Sequence, residues 1–212
     1  MFTSTIITVD GTAASGKGML ASRIAEHLNY AYLDTGILYR AVGQSVIQNG
    51  YALDTPNAAI DAARKLRIED FTKIDLRSEE LSRAASIVAS IPLVRETLIG
   101  FQREFANAPP DEKLGAVIDG RDIGTVVCPE ADRKIYVDAN ICVRARRRFK
   151  ELRERGVDVI YSRILRNMRE RDARDMSRSI APLEPAKDAF VLDTTSLDAD
   201  SAFAIALDYI SS

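Results

Sequence analysis

The segment TIITVDGTAASGKGMLASRIAEHL, residues 5–28, decides the fold, because it reads as a strand, a glycine-rich loop and a helix in succession. The apolar run Ile6–Val9 predicts a buried strand, and apolar residues recur every four positions from Leu20 to Leu28, as in an amphipathic helix. Between them, Gly11–Gly18 fits the phosphate-binding pattern G-x-x-x-x-G-K. We therefore predict a nucleotide-binding loop in this segment.

Each residue type in the loop serves that chemistry. Glycine allows backbone conformations that aim N–H groups at phosphate oxygens, and the N-terminus of the following helix adds unpaired donors. Lys17 supplies a mobile positive charge for the outer phosphates. The alternative, a glycine-rich turn with a chance lysine, does not account for the strand before the loop and the helix after it.

The residue after the lysine departs from the pattern. Gly18 stands where a Ser or Thr hydroxyl usually binds Mg²⁺, and Met19 follows it. We therefore expect a bound Mg²⁺ to be held by the nucleotide phosphates, by water and by acidic groups elsewhere in the chain.

Composition indicates a globular α/β protein with a small appendage. The 212 residues are 46% hydrophobic and 28% charged. The net charge of −2 does not indicate a nucleic-acid partner. Thirteen Lys/Arg and only six Asp/Glu lie in Arg144–Arg178. This basic segment is compatible with binding phosphates, with binding RNA, or with a merely solvated helix.

Cysteine usage and the N-terminus predict a cytoplasmic protein. Cys128 and Cys142 lack a metal-ligand pattern and are expected to be reduced thiols. Met1–Ser4 leads straight into the first strand, which leaves no room for a signal peptide. No apolar run approaches the roughly 20 residues that a membrane span needs.

Further along the chain, apolar strands alternate with helical patterns. This alternation predicts a mainly parallel sheet with helices on both faces. Four more strands are expected at 30–33, 116–118, 134–137 and 189–192, and further helices at 37–48, 57–66, 78–89, 92–105, 141–155, 159–174 and 198–209.

Polar residues follow two of these strands and are candidates for a ligand site. Asp34–Gly36 ends the second strand, with Tyr39 and Arg40 at the start of the next helix, and either Asp34 or Thr35 can cap that helix. Asp119–Asp122 ends the third strand. The alternatives are a half-buried helix aromatic for Tyr39 and an internally paired Asp–Arg turn at Asp119–Asp122.

Five segments together carry a resemblance to a known family. They are VDGTAASGKG at 9–18, LDTGILYRAVG at 33–43, LRSEELSRAASIVASIPLVR at 76–95, VIDGRDIGTVVCPEADRKIYVDA at 117–139 and RDARDMSRSIAPL at 171–183. The chain resembles the bacterial cytidylate kinases, which are nucleoside-monophosphate kinases. The resemblance implies transfer of the γ-phosphoryl group of ATP, with Mg²⁺, to CMP or dCMP on a five-stranded parallel sheet. We expect a monomer without nucleic-acid or membrane partners.

The resemblance also implies site residues. The expected donor contacts are Gly11, Thr12, Ala13, Ala14, Ser15, Gly16, Lys17, Gly18 and Met19, although Met19 itself is unusual. The expected acceptor contacts are Thr35, Tyr39 and Arg40 on the monophosphate side, Arg77 nearby, Ser86, Arg95 and Asp122 at cytosine, Arg121, Arg171 and Arg178 at the phosphate, and Asp175 at the sugar. The expected catalytic set is Lys17, Asp122, Arg147, Arg171 and Arg178. No side chain is assigned as a direct metal ligand, and Asp34 is a candidate through water.

The resemblance divides the single unit 1–212 by function. The core comprises 1–53, 106–140 and 179–212, an acceptor-binding insert covers 54–105, and a lid with flanking helices covers 141–178, with Arg144–Arg155 as the lid itself. Residues 54–76 are too few for the small antiparallel sheet expected there, so we expect a reduced insert. The alternatives are a nucleotide-gated RNA-binding switch and a kinase of another small acceptor, such as UMP or shikimate.

Overall fold

The computed structural model describes residues 4–66 and 78–212 and contains a five-stranded parallel sheet. The strands are β1 (Thr5–Gly11), β2 (Ala31–Asp34), β3 (Gly115–Gly120), β4 (Arg133–Asp138) and β5 (Phe190–Asp193). Their order in the sheet is β2-β3-β1-β4-β5. The predicted fold class is confirmed, and each strand lies within two residues of its expected position.

Eight α-helices accompany the sheet in the described residues. They are α1 (Lys17–Leu28), α2 (Thr35–Gln48), α3 (Pro56–Arg64), α4 (Glu79–Val88), α5 (Pro92–Asn107), α6 (Ile141–Glu154), α7 (Tyr161–Met176) and α8 (Ala199–Ser211). The bounds differ from the expected ones by two residues at most. The N-cap of α2 is Asp34, whose carboxylate accepts the Gly36 N–H at 2.9 Å, so Thr35 is the first helical residue instead of the cap.

The sequence did not predict the π-helical turn Ile123–Val127 that follows β3. The carboxylate of Asp10 accepts the Ile123 and Gly124 N–H groups at the start of this turn. Asp10 is 113 residues from Ile123 in sequence, so no local pattern reveals the contact. Arg77 and the connector 67–76 lie outside the described residues.

The strand β1 lies at the centre of the sheet and is buried, as its continuous apolar run requires. Ile7 and Val9 are fully buried and pack in one cluster with residues of α1 and α8. This cluster fixes where β1 ends, and therefore where the glycine-rich loop begins.

The chain divides into two compact units, Met1–Leu33 with Ala106–Ser212, and Asp34–Phe105. The first contains the sheet strands and the glycine-rich loop. In the second, the inner face of α2 packs with residues of α3, α4 and α5, and Leu38, Val42 and Val88 lie in that core. The functional division into core, insert and lid remains a prediction.

No single helix in the part of the chain that the structure describes is long and apolar enough to cross a membrane. Helices α4 and α5 meet the length and composition requirements only as a pair, which is bent by 101°.

Candidate active site

The glycine-rich loop joins the carboxyl end of β1 to the first residue of α1. Gly11 has a φ of 147°, and a Cβ there would lie 2.0 Å from the carbonyl oxygen of Val137 in β4, so only glycine fits. Gly16 precedes α1 with a φ of 97°. Two glycines with positive φ therefore set the course of the loop backbone between β1 and α1.

Two hydroxyl groups of the loop fasten it from within. Thr12 and Ser15 are fully buried. The Thr12 hydroxyl donates to Asp138 Oδ1 at 2.6 Å, and the Ser15 hydroxyl donates to the Thr12 carbonyl at 3.0 Å. These side chains hold the loop's shape, which leaves its backbone N–H groups as the candidate phosphate contacts.

Lys17 forms an ion pair with Asp119 of β3. Gly18 allows this arrangement, because a Cβ at that position would lie 3.0 Å from Asp119 Oδ2. The Tyr32 hydroxyl lies 3.4 Å from the same carboxylate oxygen. A carboxylate therefore stands close to where the usual Ser or Thr side chain would project.

Met19 lines a cavity of about 190 Å³ beside the loop. The side chain is 62% exposed. The surface of the cavity is mostly apolar, and its other apolar side chains come from α1, β4, the segment after β5 and α8; they are Leu20, Val137, Leu197, Ala199 and Ala202. Met19 is therefore part of the wall of this cavity.

Arg147 borders this cavity from α6. Its guanidinium donates to the Thr194 hydroxyl at 3.0 Å, to the Thr194 carbonyl at 2.6 Å and to the Leu197 carbonyl at 3.2 Å. It also reaches the Ser15 carbonyl at 3.4 Å. Arg147 therefore ties helix α6 to the loop and to the segment after β5.

Three predicted acceptor arginines converge on one carboxylate. Asp175 is 1% exposed and pairs with Arg178, with Arg121 Nε at 3.3 Å and with Arg171 Nε at 3.7 Å. Arg121 thus pairs with a carboxylate of α7 that lies outside the turn Asp119–Asp122. Such pairing also gathers positive charge at one place, as an acceptor phosphate requires.

A buried carboxylate shapes the turn that carries Asp122. Asp10, the penultimate residue of β1, accepts the Ile123 N–H at 2.9 Å and the Gly124 N–H at 2.7 Å. Burial raises the pKa of Asp10 to about 7, although the two N–H groups oppose the rise. Asp122 itself is 4% exposed, and its carbonyl accepts the Val126 and Val127 N–H groups.

The second compact unit holds the remaining described acceptor candidates. Asp34 pairs with Arg40 at 2.6 Å, and the Arg95 guanidinium lies 5.4 Å from the centre of the Tyr39 ring. Thr35 and Ser86 are almost fully buried. Tyr39, for which a half-buried helix aromatic was the alternative, is 8% exposed and belongs to this unit's core.

The family model for cytidylate kinase matches residues 7–212. A cytidylate kinase of Paramagnetospirillum magneticum is 56% identical over 99% of each chain, and one of Rhodospirillum rubrum is 53% identical over 97% of this chain and 96% of its own. The chain belongs to the cytidylate kinase family. The Paramagnetospirillum protein has nearly the same length as this chain.

Solved structures confirm the fold of this cytidylate kinase family member at low identity. An uncharacterized protein from Eubacterium ventriosum has a TM-score of 0.57 at 16% identity, over 98% of this chain and 99% of its own. A sugar kinase from Janibacter has a TM-score of 0.53 at 15% identity, over 98% and 95% of the two chains.

Four residues around the loop were not predicted from the sequence. They are Asp10, Asp119 as the partner of Lys17, Thr194 and Leu197. Thr194 directly follows a strand, and polar residues at the carboxyl ends of parallel strands border ligand sites, so this signal was available. The lysine partner was not recognisable, because the two residues are 102 positions apart.

Proposed function

We propose that this protein transfers the γ-phosphoryl group of ATP to CMP and dCMP. The proposal rests on one observation. The phosphate loop with Lys17 and the three arginines gathered around Asp175 belong to the same compact unit. Phosphoryl transfer needs in-line positioning and positive charge around the migrating group, and these residues supply both. Family membership supports cytosine as the acceptor base.

On the donor side, the loop backbone and the α1 N-terminus bind the ATP phosphates, and Lys17 neutralises the outer ones. The purine lies in the cavity beside Met19, since a mostly apolar concave site of this kind suits a nucleobase. Arg147 borders that cavity and is the lid residue proposed to contact the donor.

Mg²⁺ accompanies the ATP. Its preferred ligands are oxygens, and it usually retains several waters while binding phosphates and one or two carboxylates. Asp119 fits this role, because its Oδ2 lies beside Gly18, where no side chain intervenes. Asp34 remains a second candidate through water. When bound, the ion would neutralise negative charge on the ATP phosphates.

On the acceptor side, Arg121, Arg171 and Arg178 bind the CMP phosphate through their planar guanidinium groups. Asp175 orients these arginines and accepts from the sugar hydroxyls. Asp122 contacts the cytosine base. The resemblance adds further proposed acceptor contacts, which are Thr35, Tyr39, Arg40, Arg77, Ser86 and Arg95.

The mechanism requires little covalent chemistry from the protein. The acceptor phosphate oxygen attacks the γ-phosphorus in line, and the arginines and Lys17 stabilise the developing charge. Closure of the lid, Arg144–Arg155, excludes water and limits hydrolysis of ATP. The proposal includes a monomer that acts in the cytoplasm without nucleic-acid or membrane partners. The RNA-binding switch and a different small acceptor are not favoured by the family assignment.

The test is a coupled assay of ADP release with ATP and Mg²⁺ over CMP, dCMP, UMP, AMP, GMP and no acceptor. The proposal expects strong turnover on CMP and dCMP alone. Comparable turnover on UMP would retain the mechanism but contradict the cytosine roles of Ser86, Arg95 and Asp122. No acceptor-dependent turnover would contradict the proposed function.

A further inference from the structure

Arg144 differs from the other arginines of the predicted lid segment because it is buried. The residue lies in the first turn of α6 and is 5% exposed, whereas Arg146, two positions on, is exposed. Its Nε donates to the Ala139 carbonyl at 2.7 Å, just after β4. The side chain therefore points into the protein instead of extending from a lid surface.

The same guanidinium contacts the phosphate loop and helix α7. Its Nη1 donates to the Ala13 carbonyl at 3.2 Å and pairs with Asp172 Oδ2 at 2.8 Å. Ala13 belongs to the loop that holds the donor phosphates, and Asp172 belongs to the helix that carries the acceptor arginine Arg171. One nitrogen atom thus bridges the donor loop and the acceptor helix.

Asp138 at the end of β4 adds a second attachment to the loop. Its Oδ1 lies 3.8 Å from Arg144 Nε and accepts the Thr12 hydroxyl at 2.6 Å. Two consecutive loop residues, Thr12 and Ala13, are therefore fixed to the same cluster. Within α7, Arg171 and Asp175 lie one and three residues from Asp172.

Burial makes the cluster sensitive to substitution. Desolvation raises the pKa of Asp172, and the adjacent Arg144 charge and hydrogen bond oppose the rise. Removing one partner of such a pair leaves an uncompensated charge in the interior. The two side chains therefore depend on each other to keep their positions.

We propose that Arg144 is a positioning residue that sets the phosphate loop against helix α7, and so aligns the donor and acceptor phosphates without contacting either. The inference rests on the proposed function. In-line transfer is sensitive to alignment, since a displacement of about 1 Å by a distant substitution can reduce the rate on the order of 100-fold. A shift of the loop relative to α7 would therefore reduce kcat more than it weakens the binding of either nucleotide.

The first test is Arg144→Lys, which keeps the charge but loses the planar fork that spans the two elements. The matched control is Arg166→Lys, at an exposed position of α7. We expect kcat to fall at least ~10-fold in Arg144→Lys. Calorimetry measures the dissociation constant for ATP with Mg²⁺ and, separately, that for CMP. Each constant should change less than about threefold, which is much less than the expected change in kcat. The control should match the wild-type protein in all three quantities.

The second test is Asp172→Asn, with Asp208→Asn at an exposed position of α8 as its control. Asp172→Asn should reproduce the selective fall in kcat. The double variant Arg144→Lys/Asp172→Asn should be no slower than the slower single variant, because residues that act as a unit are not additive. Circular dichroism and thermal melting establish that each variant is folded. If Arg144→Lys does not fold, the kinetics of Asp172→Asn alone test the proposal.

Three results overturn the inference while leaving the proposed function intact. A loss of ATP affinity equal to the loss of kcat would make Arg144 a direct phosphate contact. Normal kcat in both folded single variants would deny any positioning role. If neither single variant folds, Arg144 and Asp172 stabilise the fold and have no separate positioning role. Absence of CMP-dependent turnover from the wild-type protein overturns the proposed function, and the inference with it.

Discussion

Lys17, the first residue of α1, and Asp119 in β3 form an ion pair beside the glycine-rich loop. Their side chains are 13% and 3% exposed, so the carboxylate is the more deeply buried partner. Since the nearby residue Gly18 has no side chain, the carboxylate can approach the loop. The lysine is thus oriented by a residue outside the loop.

Replacement of Lys17 with alanine should lower kcat at least ~100-fold, because transition-state charge loses its nearest cation in the loop. Steady-state kinetics with ATP, Mg²⁺ and CMP measure the change. Lys187→Ala removes an exposed lysine and serves as the control. Near-normal turnover in a folded Lys17→Ala protein would contradict the role.

Replacement of Asp122 with alanine should raise the KM for CMP and reduce discrimination against UMP. The side chain is buried on the turn that Asp10 holds in place, so its loss affects a fixed contact instead of a solvated one. The ratio of kcat/KM for CMP and UMP is the measurement, with Asp208→Ala as the control. Unchanged kinetics for both acceptors would remove Asp122 from base recognition.

Obstruction of the cavity beside Met19 should weaken ATP binding alone. Ala199 lines the cavity and is exposed, so Ala199→Trp adds bulk there without overpacking the core. The KM for ATP should rise about tenfold or more, which corresponds to losing roughly 1.4 kcal/mol of binding, and the KM for CMP should be unchanged. Ala204→Trp, at an exposed position of the same helix, should alter neither KM. Equal effects of both variants would show that the cavity does not bind the donor.

The pH dependence of stability should report the buried carboxyl of Asp10. Burial raises its pKa from 3.8 to about 7, so the folded protein retains a proton that the unfolded chain releases. Its contribution to the free energy of unfolding is therefore fully present below pH 3.8 and is lost as the pH rises through about 7. The loss is on the order of 4 kcal/mol, at about 1.4 kcal/mol per pKa unit.

Urea unfolding of the wild-type protein and of Asp10→Asn between pH 4 and pH 8 measures this loss. The difference between the two free energies of unfolding isolates Asp10, because the other titrating groups are common to both proteins. The Asn variant should have a flatter profile, and Asp208→Asn should retain the wild-type profile. Parallel curves for all three proteins would show that Asp10 does not titrate in this range.

The sequence by itself determined the order and type of the elements and the place of the phosphate loop. Apolar spacing is a local property, and it located the strands and helices to within two residues. The loop was recognisable because its glycines and Lys17 must keep a fixed spacing to surround a phosphate. Segments along most of the chain also carried the family resemblance, which the family model bears out.

Only the tertiary structure decided which charges face one another. The partner of Lys17 is 102 residues away, and the N–H groups bound by Asp10 are 113 and 114 residues away. In the run of arginines that opens α6, Arg144 is buried against the loop and α7 while Arg146 is exposed. Identical residue types acquire different roles there, because the orientation of the helix against its neighbours sets burial and partners. Local spacing does not encode that orientation.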